Sequence, residues 1–359
     1  MAIFSRLLPC CLSLWCFQVA AAPLDAFLSA DTQLATGQGR VEAAYDAVNS
    51  TLDVFKIRAK DPVYGGTNVG DYSGGHLRGA YQFAHGVSVD GGLWQRKISY
   101  RSDKESLTSW QLGTQYRFYQ GSFWQGSSYA LRFSAWGDSA SQLNKTTPTT
   151  VFGHTMNSIS VHDPKDVQLE ADLLGAWPLS EQTELSAFVG GGNSRVSVAS
   201  VSGSYTTSAG CEFNLLFAGS TSTATLAAPC GHFLTAVFTT PDQTVIHEVS
   251  YHARYFQLGG MLQWHNLDWR LTGGYQFQTL NRDHVDAAIS SQGGVAYKSN
   301  QILIGEVARK VGRNTAVFVR GQLMSHQFVG EIPFAYNSVT ASKFASRYGL
   351  VSMGVMHAF

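Results

Sequence analysis

Hydrophobic and polar residues alternate with a period of two along long stretches of this chain. From Leu77 to Phe83, Leu77, Gly79, Tyr81 and Phe83 share one face while Arg78, Ala80 and Gln82 share the other. Trp110, Leu112, Tyr116 and Phe118 alternate with Gln111, Gln115 and Arg117. Leu131 and Phe133 oppose Arg132 and Ser134, and Val167, Leu169 and Leu173 oppose Gln168, Glu170 and Asp172. Trp269, Leu271, Tyr275 and Phe277 oppose Arg270, Thr272 and Gln276. Successive side chains of a strand point to opposite sides of its sheet, so this period predicts β-strands with one apolar face. The segments run about 9–14 residues, longer than the usual globular strand and suited to a tilted bilayer crossing. No apolar run long enough for a transmembrane helix follows residue 21.

The connections alternate in length. Short ones fall at His85-Gly86 and at residues 120–126, 178–183, 265–267 and 311–313. Long polar ones mostly lie between them, at residues 59–75, 139–165, 202–245, 281–297 and 328–345, with Arg101 to Ser106 a short exception. Strands that cross lipid must close into a barrel, because an open edge leaves backbone groups unpaired. Short periplasmic turns opposite long outer loops are the pattern of such barrels. With both ends on the turn side, the strand count must be even. One strand over residues 39–58 gives twelve, and dividing it at Asn49-Ser50 would give thirteen. Fourteen would need a further pair hidden in residues 202–245, where Phe233 to Val237 is the candidate. The expected fold is all-β: a single antiparallel up-and-down barrel over residues 39–359, with twelve strands and fourteen as the alternative.

The two ends of the chain extend this picture. Residues 1–21 carry Arg6, an apolar core from Leu7 to Val19 and a small-residue exit at Val19-Ala20-Ala21, the tripartite form of a secretory signal peptide. Residues 22–38 are then a short periplasmic segment with Leu24, Phe27 and Leu28 at helix-like spacing, too short to be the passenger of an autotransporter. At the other end Val351, Met353, Val355 and Phe359 share one face, with Ser352 and Gly354 between them. A terminal strand with one apolar face and a final aromatic resembles the closing strand of bacterial outer-membrane β-barrels. One departure is His357, at a position usually aromatic in that class. The resemblance reaches the broad, porin-like class and no narrower family. It implies residence in the outer membrane of a Gram-negative bacterium, contact with its lipid and lipopolysaccharide, and recognition of the last strand by the assembly machinery.

Composition narrows the function classes. Lys plus Arg and Asp plus Glu are equal at 25 each, and no basic tract suggests a nucleic-acid partner. Charged residues make up 14% of the chain, against about 25% in ordinary soluble proteins. Of five cysteines, Cys10, Cys11 and Cys16 would leave with the signal, and an oxidising compartment favours a disulfide between Cys211 and Cys230. Zinc wants four ligands and no CxxC or HxxxH accompanies these two, so neither a metal nor another cofactor is expected.

With the apolar faces in lipid, the polar faces line the lumen. Lining candidates are Arg78, Arg96, Arg117, Arg132, Glu170, Asp172, Arg270, Glu306 and Arg320. Both signs are present, so the charges either pair across a filled lumen or line a narrow aqueous channel. Side chains fill an eight-stranded barrel and twelve strands leave more room, which favours a narrow channel for passive diffusion of small solutes of unknown kind. Residues 202–245 could fold inward as a constriction or stand outside as a hairpin clipped by the cysteines. Trp94 and Trp136 fall on the inward phase. Catalytic patterns are sparse. The His-x-Ser of outer-membrane phospholipase A is missing, and in His85…Ser88 and His247…Ser250 residues three apart face opposite sides of a strand. Asp283, His284 and Asp286 offer a hydrolase alternative, since an Asp can orient a His base, but solvated loop charges are the plainer reading. No catalytic residue is assigned, and a structural or adhesive barrel without pore activity is a third alternative.

Overall fold

A computed structural model describes residues 35–48, 69–84, 86–100, 103–121, 126–146, 148–151, 154–242, 244–291, 293–326, 332–337 and 348–359. The first strands in chain order are β1 (Gly39–Val48), β2 (Val69–Ala84), β3 (Val87–Tyr100), β4 (Asp103–Gln120) and β5 (Ser128–Ala140). Then come β6 (Gln142–Lys145), β7 (Thr149–Val151), β8 (His154–His162), β9 (Lys165–Pro178), β10 (Thr183–Ser197) and β11 (Ser200–Thr206). These are followed by β12 (Glu212–Ala218), β13 (Thr221–Leu226), β14 (Val237–Pro241), β15 (His252–His265) and β16 (Trp269–Arg282). The last are β17 (Ser299–Lys310), β18 (Thr315–Met324) and β19 (Tyr348–Ala358).

Twelve of these close into one antiparallel ring, in the order β1-β19-β18-β17-β16-β15-β10-β9-β5-β4-β3-β2. The seam joins the first and last strands, from Arg40 opposite Ala358 to Val48 opposite Leu350. Gly39 and Phe359 exchange backbone hydrogen bonds of 2.9 Å in both directions, so the terminal Phe completes the ladder. Closure leaves no edge of the ring unpaired. The question of a hairpin at Asn49-Ser50 falls on residues outside those described, as do the signal peptide and all of residues 22–38 before Ala35.

The alternation places the faces as the period requires. Every ring strand presents a large apolar side chain outward: Tyr45, Leu77, Leu93, Leu112, Leu131, Leu169, Val189, Leu258, Leu271, Leu303, Val319 and Met353, all exposed. An apolar belt around the whole circumference exceeds any patch a monomeric soluble protein carries, and it matches the lipid-facing band of a membrane barrel. The architecture is that of the outer-membrane β-barrel class. Tight turns join the strands at one end. At the first of them Gly86 has φ +79°, where a Cβ would lie 2.5 Å from the Arg117 carbonyl oxygen, so only glycine fits.

The loop end departs from expectation. Residues 139–165 and 202–245, expected as polar loops, carry β6 to β8 and β11 to β14, which form a separate seven-stranded sheet in the order β14-β13-β12-β11-β8-β6, with β7 on β8. The candidate for a hidden ring pair, Phe233 to Val237, is corrected here: β14 pairs with β13 and takes no part in the barrel. Most of these strands are short and carry Ser or Thr, and the apolar alternation of β12 (Phe213, Leu215, Phe217) is too brief to mark a membrane-crossing strand. A short helix, Thr244–Val249, packs Val245, Ile246 and Val249 against Val198, Val201, Ile159 and Phe217 at the base of this sheet. A second helix, Asp283–Ser291, follows β16.

Candidate functional site

Inside the ring, the inward positions carry polar and charged groups held by one another. Register puts opposite charges directly across from each other at Glu42 and Arg78, Arg132 and Asp172, and Glu306 and Arg320. Arg320 donates to both carboxylate oxygens of Glu42, at 2.9 and 3.1 Å, and through Nε to Glu306 Oε2 at 2.9 Å. Glu306 also accepts from Arg270 Nη2 at 2.8 Å. His76 Nε2 lies 3.0 Å from Glu42 and its Nδ1 2.8 Å from Asp46, both at hydrogen-bond distance, and Ser352 donates to Asp46 at 2.6 Å. One chain of hydrogen bonds thus runs across β16, β17, β18, β1, β2 and β19. Fork-to-fork pairing of this kind is among the stronger contacts a guanidinium can make.

A second group joins β3, β4 and β5. Arg132 donates to both oxygens of Asp90, one of them from Nη2 at 3.0 Å, and Gln111 donates to Asp90 at 2.8 Å. Gly113 lies under this pair, and a Cβ there would come within 2.6 Å of Arg132 Nη2 and 2.7 Å of Asp90 Oδ2. Across the barrel, Tyr255 donates to Glu170, Gln257 to Asp172 at 3.0 Å, and Gln276 to Gln257 at 3.0 Å. Near the loop end Asp138 accepts from Ser109 and, at 3.0 Å, from the Trp136 indole. A residual cavity of about 20 Å³, roughly the room of one water, lies among Glu42, Asp46, His76, Arg78, Trp94 and Arg320.

At the loop end, among the described residues, one short segment between β18 and β19 is buried. Ile332, Phe334 and Tyr336 are 0, 3 and 1% exposed, around a 3-10 turn at Pro333–Ala335. This segment belongs to the connection between β18 and β19, yet its contacts are with β9 and β10 and the residues just ahead of β15, nearly opposite in the ring. Tyr251 donates its hydroxyl proton to the Pro333 carbonyl oxygen at 2.6 Å, and the Phe334 amide points at Asp166 Oδ2 at 3.4 Å. The Tyr336 hydroxyl accepts from the Tyr297 amide at 2.9 Å, and the Arg282 guanidinium lies 4.0 Å above the Tyr336 ring. Burial raises the Tyr336 and Tyr251 hydroxyls above the ordinary tyrosine range, which keeps both neutral donors and acceptors. Around the segment, Leu107, Val196, Leu280, Val285, Ile289, Ile302, Met324 and Leu350 form one apolar cluster contributed from most of the ring.

The candidates read from sequence fall as follows. Arg78, Arg96, Arg132, Glu170, Asp172, Glu306 and Arg320 are buried inside the ring, and Arg270 is half-buried. Arg117 is half-buried at the turn end of β4, beside a register shift in the pairing with β5. Trp94 and Trp136 face inward and pack on one another with ring centroids 4.7 Å apart. Cys211 and Cys230 form a disulfide with Cα atoms 5.5 Å apart, within the second sheet. Residues 202–245 do not supply the constriction, because they are committed to that sheet. The crossing segment, Ile332-Pro333-Phe334-Ala335-Tyr336, was the one apolar run in an otherwise polar loop, and that was its available signal. Asp283, His284 and Asp286 are not brought together as an acid–base set. Asp286 is held by Arg282 at 3.0 Å, and His284 stacks on His247 while donating to the His247 carbonyl oxygen at 2.6 Å. Among the described residues no group of three or more His, Cys, Asp or Glu is placed to hold a metal.

No family model matches the sequence, nor does any curated protein sequence. Among solved structures, the chain is similar to the translocator domain of the autotransporter NalP from Neisseria meningitidis, at 9% identity over 94% of this chain and 93% of that one, with a TM-score of 0.48. It is similar to the KdgM porin in complex with disordered oligogalacturonate at 9% identity over 89% and 99% of the two chains, with a TM-score of 0.37. For the CymD monoaromatic hydrocarbon channel the identity is 10% over 91% and 90%, with a TM-score of 0.38. The barrel assignment itself rests on the closed strand pairing and the apolar exterior described above.

Proposed function

We propose that this protein is an outer-membrane channel for small solutes whose resting state is shut at the loop end by Ile332–Tyr336. The observation that supports this reading is the place of that segment: it lies between β18 and β19 in sequence, yet Phe334 and Pro333 meet Asp166 and Tyr251 on the far side of the ring. It belongs to no strand, so its displacement breaks no ladder hydrogen bond of the barrel. What holds it is the burial of three apolar side chains, roughly 2 kcal/mol each, and the contacts of Tyr251, Tyr297 and Arg282. Beneath it the inward groups are polar with both charge signs and pair around a space of about one water, so passage of a hydrophilic solute also requires some of these pairs to part. Residence in the outer membrane, contact with lipid and lipopolysaccharide, and insertion by the assembly machinery belong to the same reading. Heat-modifiable migration in outer-membrane fractions tests the location, and recovery as a soluble protein contradicts it. Swelling of proteoliposomes in small sugars tests the pore: slow swelling is expected for the intact protein and fast swelling once residues 332–337 are removed.

The second reading, an adhesive barrel, is favoured by one feature. Phe233, Leu234, Val237 and Phe238 are exposed at the far side of the second sheet, on and beside its edge strand β14. If neither the intact nor the shortened protein passes solute, this reading takes precedence.

A further inference from the structure

The turn end of the lumen, opposite the shut end, holds a cavity of about 280 Å³. Its wall comes from the turn ends of β1 and β15 to β19 and from the turns at residues 266–268 and 313–314, most of them exposed, so the site opens to solvent. Arg40, Arg270, Lys310 and Arg313 line it against one acid, Asp268, which is four positive charges to one negative. The inner floor is apolar, where Ala308 and Met356 pack with Phe318. Arg270 is fixed from behind by Glu306 at 2.8 Å and keeps its side chain 25% exposed. Counting Glu306, which holds Arg270 from behind, basic groups outnumber acids here by four to two. A concave site with low-dielectric walls and one sign of charge concentrates counter-ions, and guanidinium forks match the oxygens of carboxylates and phosphates.

We infer that this cavity is a binding vestibule for small organic anions bearing carboxylate or phosphate groups. Its volume lies just under the range of ordinary ligand pockets, about 300–1,000 Å³, so it takes a single small molecule and excludes a polymer or a folded partner. The inference deepens the channel reading by naming the class of solute held at the inner mouth, but binding here does not require the channel to open. The same chemistry is offered by a free di- or tricarboxylate or sugar phosphate and by the headgroup of an anionic phospholipid.

The test is titration calorimetry of the full protein in phosphatidylcholine nanodiscs, with citrate and glycerol phosphate as anionic probes and choline as the cationic control. Saturable binding of the anions is expected, with no binding of choline. The double variant Lys310→Gln, Arg313→Gln lies on the exposed β17–β18 turn, outside the buried network, and should weaken the anions about tenfold through lost charge-assisted contacts. The charge reversal Arg313→Glu should weaken them further, and heat-modifiable migration reports that each variant still folds. Loss of citrate binding when phosphatidylglycerol replaces a fraction of the phosphatidylcholine would identify the headgroup as an occupant of the same site. Anion binding that is absent, or equal in the folded variants, overturns the inference. A closed, non-conducting barrel that still binds citrate would instead count against the channel reading alone.

Discussion

Arg320 is the residue on which the largest buried network turns, since it holds Glu42 and Glu306 together. Removing one partner of a buried ion pair leaves the other uncompensated, at about 3–5 kcal/mol. Arg320→Met should therefore lower the unfolding free energy of the detergent-solubilised barrel, read from urea titration, by that amount, while Arg320→Lys recovers part of it. Gly113→Ala tests the same principle sterically: a methyl group meets the Arg132–Asp90 pair, and overpacking of about 1–3 kcal/mol is expected in the same assay. His326 supplies the pH dependence. Its ring lies 4.4 Å from Tyr297 and donates from Nδ1 to the Ser299 carbonyl oxygen at 2.9 Å, and burial holds its pKa below the ordinary 6.5. The unfolded imidazole then binds a proton before the folded one does. Its contribution is complete above pH 6.5 and is lost as the pH falls through the depressed value. The protection of the Ser325 and His326 amides, after correction for the intrinsic exchange rate at each pH, should fall on acidification, and His326→Phe should remove that dependence.

At the scale of elements, the second sheet is the part whose stability is separable from the barrel. The Cys211–Cys230 bridge closes the β12–β13 region within it, and such a loop gains roughly 3 kcal/mol in the chain-entropy model. Replacing both cysteines with Ser should expose residues 206–237 to proteolysis while the heat-modifiable transition of the barrel stays unchanged. Denatured, unreduced protein should show no reactive thiol in its mature part. The ring strands were legible in sequence because lipid on one side and a polar lumen on the other impose a strict alternation, as in Leu169, Glu170, Ala171 and Asp172. The short turns pointed to twelve strands with fourteen left open, the closed ring has twelve, and Phe359 marked the closing strand. The second sheet was not legible, because many of its positions are hydroxyl side chains that bond one another, as Ser204 does with Ser158 and Thr223 with Thr239, and do not sort onto one face. The inward residues could be chosen by phase, but not which of them pair: Arg320 reaches Glu42 across β19, a contact between residues 278 apart in sequence. Phase also gave no hint that Trp94 and Trp136 would pack on each other.

For the whole molecule, the account joins a closed ring, a polar interior and one short segment laid across the loop end. The ring is held by backbone pairing all the way round, whereas the segment is held by a few side chains, so the two should respond separately to perturbation. Tyr336→Ala loses the Arg282 stacking, the Tyr297 contact and most of an aromatic side chain's burial. It should raise the frequency of brief openings without shifting the unfolding transition of the barrel by more than a small fraction. The most direct test is single-channel conductance in planar bilayers, comparing the intact protein with a variant in which residues 332–337 are replaced by a Gly-Ser linker. The account predicts rare, brief openings for the intact protein and a long-lived open level for the variant, with both folded by heat-modifiable migration. A folded variant as silent as the intact protein would contradict it.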